Sequence, residues 1–495
     1  MADFDHDVIV AGGGPTGVTL AALLAQQGLS VLVVEKEPTI YPLPRAAHVD
    51  HETMRVFQDI GVADRIMATS RSASGYEFRN AKGTVLLRFE TPAAMGEGGW
   101  PTANMVHQPS IEEALRSRLA QLPLATLQVS TALVRWQETD DAVVATVADA
   151  EGERAVRARF LIGADGARSP VRKAAGIGFD DLGFEEPWLV VDALVHDPSR
   201  LPTTNLQICD PARPTTCVLM GNGRHRWEFM IKPGESPEDV SSDAAIARLL
   251  EPWQVDGAVT LERKAVYTFR ARVAQRWRKG RVLLAGDAAH QTPPFAGQGL
   301  CAGIRDAANL AWKLAAVVRD GARDSVLDAY QLEREPHVRA TIKMAISMGR
   351  TVCITNRWAA LARDWGFRIA RALGKLPDGP PDYPPIGGGL ILAGEPAAGA
   401  YFPQVCVNAG AIARSDDGLG PGAWLIARHP ASADVPGVRI VALDDPCLVP
   451  FRAPVERWLV QHGVDAVLVR PDRYIFAGGD ANQLAARWQQ ALGTG

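Results

Sequence analysis

The stretch from Val8 to Val34 contains no charged side chain, and it limits what the chain can fold into more than any other segment. An apolar run of about 20 residues is long enough to cross a membrane as a helix. Here, however, glycines at 12, 13, 14, 17 and 28, together with Pro15, interrupt the run. We therefore expect strand 7–11, helix 15–27 and strand 30–34, packed as a βαβ unit inside one domain and not across a bilayer.

Three glycines at the turn between the first strand and the helix form the pattern Gly12-x-Gly14-x-x-Gly17. In dinucleotide-binding folds the first glycine permits a tight turn, the second lets a pyrophosphate approach the backbone, and the third lets the helix pack close to the strand. Glu35 ends the second strand, at the position where a carboxylate binds the ribose. This full context favours a dinucleotide site over an ordinary glycine turn with a solvated glutamate.

Two further motifs follow buried strands, at the strand ends where ligands collect in open α/β sheets. Asp165 lies in segment 163–172, which by itself is better explained as a strand-to-helix turn capped by a serine. Asp287 follows a predicted strand at 281–285, and a loop then leads to a helix predicted from Leu300 to about residue 319. The free amides at that helix N-terminus suit a ring system that becomes anionic on reduction. The alternative is that Asp287 is only a turn residue.

The chain changes character between residues 176 and 270, where tryptophans, proline-rich turns and strand-like runs indicate an inserted sheet domain. A Pro/Gly-dense stretch at 376–389 predicts a linker, and strands are expected beyond it near 423–427, 438–443 and 466–469. The predicted fold class is therefore α/β. We expect a Rossmann-like domain at 1–175 and 271–380, a substrate-binding sheet domain at 176–270 and a C-terminal domain at 390–495.

The composition excludes several classes of protein. The 52 basic and 56 acidic residues give a net charge of −4, so no overall positive field favours a nucleic acid. The 6 cysteines form no CxxC pair, so neither a metal site nor a redox dithiol is expected. The first seven residues are acidic where a signal peptide would be basic, and we expect a cytoplasmic protein.

The three motifs, in this order and at this spacing, resemble the class A flavoprotein aromatic hydroxylases, which are single-component FAD monooxygenases. The resemblance covers nearly the whole chain and includes Pro44-Arg45-Ala46 and Gln108-Pro109. Further segments resemble the 3-(3-hydroxyphenyl)propionate hydroxylases of this family, namely 50–55, 227–230, 233–235, 283–290 and 470–474. His51 departs from the pattern, because those relatives carry a second acidic residue there.

The resemblance implies that FAD is the cofactor. It places the glycine motif at the pyrophosphate, Glu35 at the adenosine ribose, Asp287 at the ribityl-pyrophosphate region, and the amides of Gly299 and Leu300 at the pyrimidine edge of the flavin. The motif around residue 165 has a dual role with FAD and NAD(P)H in the family. The implied cofactor-binding residues are Gly12, Gly14, Pro15, Thr16, Gly17, Glu35, Lys36, Arg45, Gln108, Asp165, Gly286, Asp287, Gly299 and Leu300.

The resemblance also implies the reaction. NADH or NADPH reduces the FAD without a second nucleotide-binding fold, O₂ forms a flavin C4a-hydroperoxide, and one oxygen atom passes to a phenolic ring. Pro294 lies on the loop that lines the reaction site in relatives, and a nearby histidine would assist by accepting the phenolic proton. His48, His107 and His290 lie near the motifs, and we take His48 with Pro294 as the catalytic candidates. A purely structural role suits each histidine at least as well.

The expected substrate is 3-(3-hydroxyphenyl)propionate or a similar phenol of aromatic catabolism. Resorcinol-like phenols and polycyclic aromatic polyketides are alternatives within the family, and a flavin carrier without turnover is an alternative of another class. The resemblance implies a thioredoxin-like C-terminal domain. Because Cys406 and Cys447 lie far apart in sequence, we expect this domain to cover the core or to support assembly, with a homodimer as the assembly considered.

Overall fold

The computed structural model describes residues 4–73, 75–90, 95–377, 383–408 and 412–494. The strands of the N-terminal half are β1 (His6–Ala11), β2 (Val31–Val34), β3 (His48–Asp50), β4 (Gly75–Asn80), β5 (Val85–Glu90), β6 (Ala103–Met105), β7 (Ala125–Gln128), β8 (Ala132–Glu138), β9 (Val143–Asp149), β10 (Gly152–Gly163), β11 (Phe179–Val195), β12 (Asn205–Cys209), β13 (Thr215–Met220) and β14 (Arg224–Met230). They are followed by β15 (Val259–Ala274), β16 (Arg278–Lys279), β17 (Val282–Leu284), β18 (His290–Gln291), β19 (Cys406–Asn408), β20 (Ile412–Arg414), β21 (Ala423–Ala427), β22 (Val438–Ala442), β23 (Ala466–Val469) and β24 (Ile475–Gly479).

Helices connect and cover these strands. They are α1 (Pro15–Gln26), α2 (His51–Ile60), α3 (Ala63–Thr69), α4 (Gln108–Leu119), α5 (Pro170–Ala174), α6 (Pro237–Val240), α7 (Asp243–Leu250), α8 (Gly299–Val318), α9 (Asp328–Val352), α10 (Arg357–Ala372), α11 (Ser415–Leu419), α12 (Arg452–Gln461) and α13 (Ala481–Leu492). Within the described part of the chain, no helix has both the length and the apolar character that crossing a membrane requires.

Five parallel strands form the centre of the first sheet, in the order β7-β2-β1-β10-β17. All four residues of β2 and the last four of β1 are buried, as is usual for strands of parallel sheets. Helix α1 packs against both α4 and α8. The expected strand, helix and strand at 7–11, 15–27 and 30–34 agree with β1, α1 and β2 to within one residue at each end. The predicted α/β fold class with a Rossmann-like domain is confirmed.

The second sheet has eight strands in the order β18-β15-β11-β14-β13-β12-β4-β5. Its longest strands, β11 and β15, pair antiparallel along most of their length. β4 joins the sheet through a parallel pairing with β12, so the sheet takes two strands from residues 75–90 and extends beyond the range 176–270. The bounds 176–270 of the inserted sheet domain therefore stay a prediction. Trp227 and Phe229 point into an apolar core on one face of the sheet, away from the cavity described below.

The C-terminal unit is a four-stranded mixed sheet in the order β22-β21-β23-β24. Alternate residues of β21 enter two different apolar clusters, because successive side chains of a strand point to opposite faces. Leu425 packs in the cluster that contains Trp488 of α13, whereas Trp424 and Ile426 pack in the cluster that contains Leu459 of α12. The sheet is therefore covered on both faces, which agrees with the expected thioredoxin-like domain. Its cysteines, Cys406 and Cys447, are unpaired.

A cluster of buried charged side chains joins the C-terminal unit to helices α8 and α9. Arg470 forms ion pairs with Glu333 at 2.7 Å and with Asp472 at 2.6 Å, and Lys313 donates to Glu333 at 2.8 Å. Asn309 donates to both carboxylates. Burial lowers the pKa of Lys313 to about 8, although Glu333 acts in the opposite direction. Because an unpaired buried charge is costly, this cluster fixes the C-terminal unit onto the two helices. We refer to it as the interdomain ion cluster.

Candidate active site

A cavity of about 670 Å³ is lined by strands of the second sheet and by loops and helix starts that follow strands of the first sheet. One end, which we call the motif end, is formed by residues that the sequence motifs single out. These are Gly14, Pro15, Thr16, Arg45, Gln108, Asp287, Gly299 and Leu300. The other end, which we call the sheet end, is formed by polar residues of the second sheet. These are Tyr76, Asn205, Gln207, Thr216, Arg226 and Glu228. His48 and Pro294 also line the cavity.

The glycine turn combines close packing with an opening. A Cβ atom on Gly12 would collide with the carbonyl of Ala164, and one on Gly17 would collide with the carbonyl of Gly12. At Gly14, by contrast, no atom of the described residues, apart from the adjoining ones, lies within 4 Å of the position that a Cβ would occupy. The carboxylate of Glu35 lies beside the turn and accepts from the amide of Gly13 at 2.7 Å. The turn therefore leaves an open approach to the amides at the start of α1, which is where a phosphate binds.

Six of the predicted residues lie outside the cavity lining, namely Gly12, Gly17, Glu35, Lys36, Asp165 and Gly286. Asp165 accepts from the amide of Val171 at 2.9 Å, while its other carboxylate oxygen is buried without a partner among the described residues. Ser169 caps α5 by accepting from the amide of Arg172. The serine cap that the sequence predicts for this segment is therefore present. Lys36 lies on the surface, 3.6 Å from Glu37. Lys36 is not part of the described cavity lining, and its contact with the cofactor stays a prediction.

The turn that carries Asp287 is held from behind by Asp306 of α8. Asp306 accepts from the amide of Gly286 at 3.0 Å, from His290 at 2.6 Å and from Arg334 at 2.9 Å. Asp287 is open to the cavity but lies deep in the protein, and this burial raises its pKa, with His290 and Arg45 acting in the opposite direction. Gly286 and His290 thus support the turn, and Asp287 is the residue that faces the cavity.

The loop at 44–46 is fixed from two sides. Gln108 accepts from the amides of Arg45 and Ala46, at 3.2 and 2.7 Å. From the second sheet, Arg226 donates to the carbonyls of Pro44 and Arg45, and Arg263 also donates to Pro44. Both of these arginines are ion-paired with buried Asp192. Gln108 therefore positions the loop that brings the Arg45 side chain to the cavity.

The three candidate histidines occupy different environments. His48 lines the cavity and its Nδ1 lies 3.3 Å from the carbonyl oxygen of Gly297; burial lowers its pKa, so the ring is neutral at neutral pH. His107 contacts Ser110 at 2.9 Å, and burial lowers its pKa to about 4. The Nε2 atom of His290 is hydrogen-bonded to the Asp306 carboxylate at 2.6 Å. Only His48 of these three belongs to the cavity lining.

A row of polar side chains at the sheet end was not predicted. Gln207, Thr216 and Glu228 lie directly opposite one another on β12, β13 and β14. Thr216 donates to Gln207 at 2.7 Å, Gln207 donates to the hydroxyl of Tyr76, and that hydroxyl donates to the carbonyl of Phe295 at 3.1 Å. The row is thereby linked to the loop that carries Pro294. A signal for it is present in the sequence, since polar residues at 224, 226 and 228 alternate with Trp227 and Phe229.

Glu228 has an unusual environment for a carboxylate. Its side chain is buried, with 6% of the residue exposed, and it lies 3.7 Å from Arg226. Burial raises the pKa of Glu228 to about 7, although Arg226 acts in the opposite direction. Arg226 itself makes its shorter contact, at 2.6 Å, with Asp192. The sheet end of the cavity therefore contains a carboxyl group that exchanges its proton near neutral pH.

The residues of the motif end fit a dinucleotide cofactor. The turn at Gly14 is open, the N-terminus of the 20-residue helix α8 faces the cavity at Gly299, and two buried polar atoms nearby, Oδ1 of Asp165 and Oγ1 of Thr292, have no partner among the described residues. Helix N-termini favour negative charge, which suits a pyrophosphate at α1 and a reduced ring at α8. Among the described residues, no group of three side chains is arranged to hold a metal ion.

Comparison with known proteins identifies the family. The family model described as the FAD binding domain matches residues 5–345. A probable NADH-specific resorcinol 4-hydroxylase from Rhodococcus jostii (strain RHA1) is 38% identical over 504 residues, which cover 97% of this chain and 93% of the relative. The chain belongs to the class A flavoprotein aromatic hydroxylases. The hydroxylase accordingly binds FAD and is a monooxygenase that uses a nicotinamide co-substrate.

Other relatives carry a different name. A 3-(3-hydroxy-phenyl)propionate/3-hydroxycinnamic acid hydroxylase of Escherichia coli O81 (strain ED1a) is 32% identical over 510 residues, covering 95% of this chain and 91% of the relative. A protein with the same name from Mycobacterium sp. (strain JLS) is 39% identical over 380 residues, covering 76% of this chain. That match spans 65% of the mycobacterial protein, so the hydroxylase matches less than two thirds of this relative's length.

Solved structures resemble the hydroxylase over its whole length. A ternary complex of aklavinone-11 hydroxylase with FAD and aklavinone has a TM-score of 0.79 and 27% identity, and the match covers 100% of both chains. An anhydrotetracycline hydroxylase from Streptomyces rimosus has a TM-score of 0.75 and 25% identity, covering 99% of this chain and 98% of that one. These matches agree with the predicted fold class, including the C-terminal domain.

Proposed function

We propose that the hydroxylase adds one oxygen atom to a monocyclic phenol that carries a second polar group meta to its hydroxyl. The reaction consumes O₂ and NADH or NADPH; one oxygen atom enters the ring and the other leaves as water. The observation that carries this proposal is the continuity of the cavity, which contains both the motif end and the polar row of the sheet end. The resorcinol and hydroxyphenylpropionate named in the relatives are both phenols of this type.

Bound FAD supplies the oxidation of the nicotinamide and the activation of O₂. The open turn at Gly14 and the N-terminus of α8 would bind it, while Asp287 and Arg45 would face it along the cavity. The remaining cofactor-binding residues inferred from the motifs are proposals of the same kind. Apolar side chains that line the cavity, namely Phe78, Phe89, Met105 and Phe295, exclude water from the reacting ring.

The charges at the sheet end favour a neutral phenol over one that carries a carboxylate. Arg226 is the arginine at this end, and it is already held by Asp192 and by two backbone carbonyls. Glu228 would repel a carboxylate whenever it is ionised. Resorcinol therefore fits better than 3-(3-hydroxyphenyl)propionate, which remains the second candidate because several relatives carry its name. Since the cavity must also accommodate the flavin ring, one substrate ring suits it better than a fused polycycle.

Some expectations about the whole protein are part of this proposal. The Rhodococcus relative is named as NADH-specific, which supports NADH as the donor. A cytoplasmic location, a homodimeric assembly and the absence of a nucleic-acid partner also stay predictions.

The test uses purified, FAD-loaded protein in air. NADH and NADPH oxidation would be followed with resorcinol, with 3-(3-hydroxyphenyl)propionate and without a phenol, and products would be identified by mass. We expect NADH oxidation in step with a product heavier by one oxygen atom, with the higher kcat/KM for resorcinol. Donor oxidation that gives only hydrogen peroxide with every monocyclic phenol would refute the proposed substrate class. An absence of donor oxidation would favour a flavin carrier.

A further inference from the structure

We propose that Glu228 is the catalytic base that accepts the phenolic proton of the substrate. This inference rests on the proposed function, since it assigns a role within the same cavity. Glu228 lies in segment 227–230, which resembles the hydroxyphenylpropionate hydroxylases, but neither that resemblance nor the comparisons give it a role. It is carried by the position of Glu228 at the sheet end, by the contacts of its neighbours and by the lack of a better-placed group in the described cavity lining.

The position of Glu228 in the cavity suits it to this role. Two carboxyl groups occur among the described residues that line the cavity, Asp287 at the motif end and Glu228 at the sheet end. Asp287 lies in the turn at the motif end of the cavity. Its carboxylate is therefore at the opposite end of the cavity from a phenol bound on the sheet. Glu228 stands opposite Thr216 in the polar row, which supplies neutral hydrogen-bonding groups on one side of it. A phenol hydroxyl bound against this row meets Glu228 as its proton acceptor.

His48 is less suitable for this role. Its Nδ1 carries the proton when it donates to the carbonyl of Gly297, which leaves Nε2 as the nitrogen that could accept a proton. Burial lowers the pKa of His48, so the ring is a weaker proton acceptor than an ordinary histidine. His48 therefore fits a role in holding the loop at Gly297, beside the flavin-facing start of α8.

The charges around Glu228 keep it available for proton transfer. Arg226 on its own strand, Asp192 on β11 and Arg263 on β15 are the charged groups that act on it, and Tyr76 on β4 is the nearby phenol. Because Arg226 and Arg263 are both paired with Asp192, their attraction for Glu228 is partly cancelled. Burial then dominates and raises the pKa of Glu228 to about 7, the range in which a general base works best near neutral pH.

The step itself is simple. The O–H bond of the phenol breaks, a new O–H bond forms on the Glu228 carboxylate, and the electron pair stays on the phenolic oxygen. The resulting phenolate carries more electron density at its ortho and para carbons, which therefore react faster with an electrophilic oxygen. The proton returns to solvent when the product leaves the cavity. No additional oxidant or reductant is required beyond those of the hydroxylation.

The decisive variant is Glu228→Gln, which keeps the size of the side chain and removes its basicity. We expect kcat for resorcinol to fall by ~10²–10⁴-fold, the usual contribution of a general base, while FAD content and KM change little. Glu262→Gln is the matched control, because Glu262 lies on the same sheet and pairs with Arg224 away from the cavity. With a nitro-substituted resorcinol that is already ionised at the assay pH, Glu228→Gln and the unaltered enzyme should have similar kcat values, because neither then needs a base.

The pH profile of the unaltered enzyme gives a test that does not depend on any variant. With resorcinol, kcat/KM should rise with pH through an apparent pKa near 7, and this rise should be absent with the ionised nitro-resorcinol. A Glu228→Gln enzyme with unchanged kcat and pH profile would overturn the inference, and so would a change confined to KM. The inference would also fail if the variant remained much slower than the unaltered enzyme with the ionised phenol. If the unaltered enzyme hydroxylates no monocyclic phenol, it is the proposed function that fails.

Discussion

The interdomain ion cluster allows a stability prediction whose size can be worked from the contacts. Arg470 donates five hydrogen bonds, two to Glu333, two to Asp472 and one to the carbonyl of Leu390. In Arg470→Met the apolar volume is nearly kept, but Lys313 becomes the only cation of the described cluster beside two buried carboxylates. Breaking a buried ion pair in this way costs about 3–5 kcal/mol. We expect a loss of this size in the free energy of unfolding.

The assay is urea unfolding at neutral pH, followed by tryptophan fluorescence, with Arg457→Met as control because Arg457 is exposed on α12. Adding Glu333→Gln to Arg470→Met should recover part of the loss, since the cluster then again contains equal numbers of cations and carboxylates, Lys313 and Asp472. The loss should also shrink at acid pH. Arg470 and Lys313 outweigh burial and lower the pKa of Glu333 below its ordinary 4.5, so its contribution is present above pH 4.5 and disappears as the pH falls. A loss under about 1 kcal/mol at neutral pH, the size of an exposed pair, would refute this account.

Three further predictions concern the cavity. Asp287→Ala should sharply lower FAD retention, measured as the ratio of flavin to protein absorbance after gel filtration, because Asp287 faces the cavity at the motif end. Gly17→Ala should also lose flavin, since its Cβ would collide with the carbonyl of Gly12 and push α1 away from the turn; normal flavin content would contradict this. Tyr76→Phe removes the hydrogen bond to the carbonyl of Phe295, and we expect a larger share of NADH to yield peroxide in place of product, measured with and without catalase.

Local patterns predicted the elements that local forces determine. β1, α1 and β2 were placed to within a residue because apolar periodicity and glycine interruptions are properties of short segments. The same holds for β21 and β23, whose predicted and observed bounds coincide. The pairing of β4 with β12 could not be predicted, because it joins residues 75–80 to 205–209 and neither segment contains a local pattern that indicates its partner.

The same distinction applies to the candidate site. The motifs identified Gly14, Asp287 and Gly299 as candidate site residues, and in the fold these residues line one end of a cavity. Glu228 was passed over as a site residue, because its significance depends on the register that sets it beside Thr216 and on the burial that changes its acidity. Register and burial are properties of the assembled sheet. The alternation of polar and apolar residues along β14 was the one local sign of them.

The position of β17 as the last of the parallel strands, beside β10, also determines when during synthesis the flavin site can form. β17 pairs with β10, and α8 packs against α1, yet both β17 and α8 are made more than 100 residues after β10. A nascent chain that has emerged only as far as β10 therefore exposes the open edge of that strand and the apolar face of α1. The parallel sheet can be completed only after β17 has left the ribosome, and the motif end of the cavity only after α8 has followed, so we expect the cofactor to bind after that point. Growth at lower temperature or with more chaperone should accordingly raise the yield of folded enzyme.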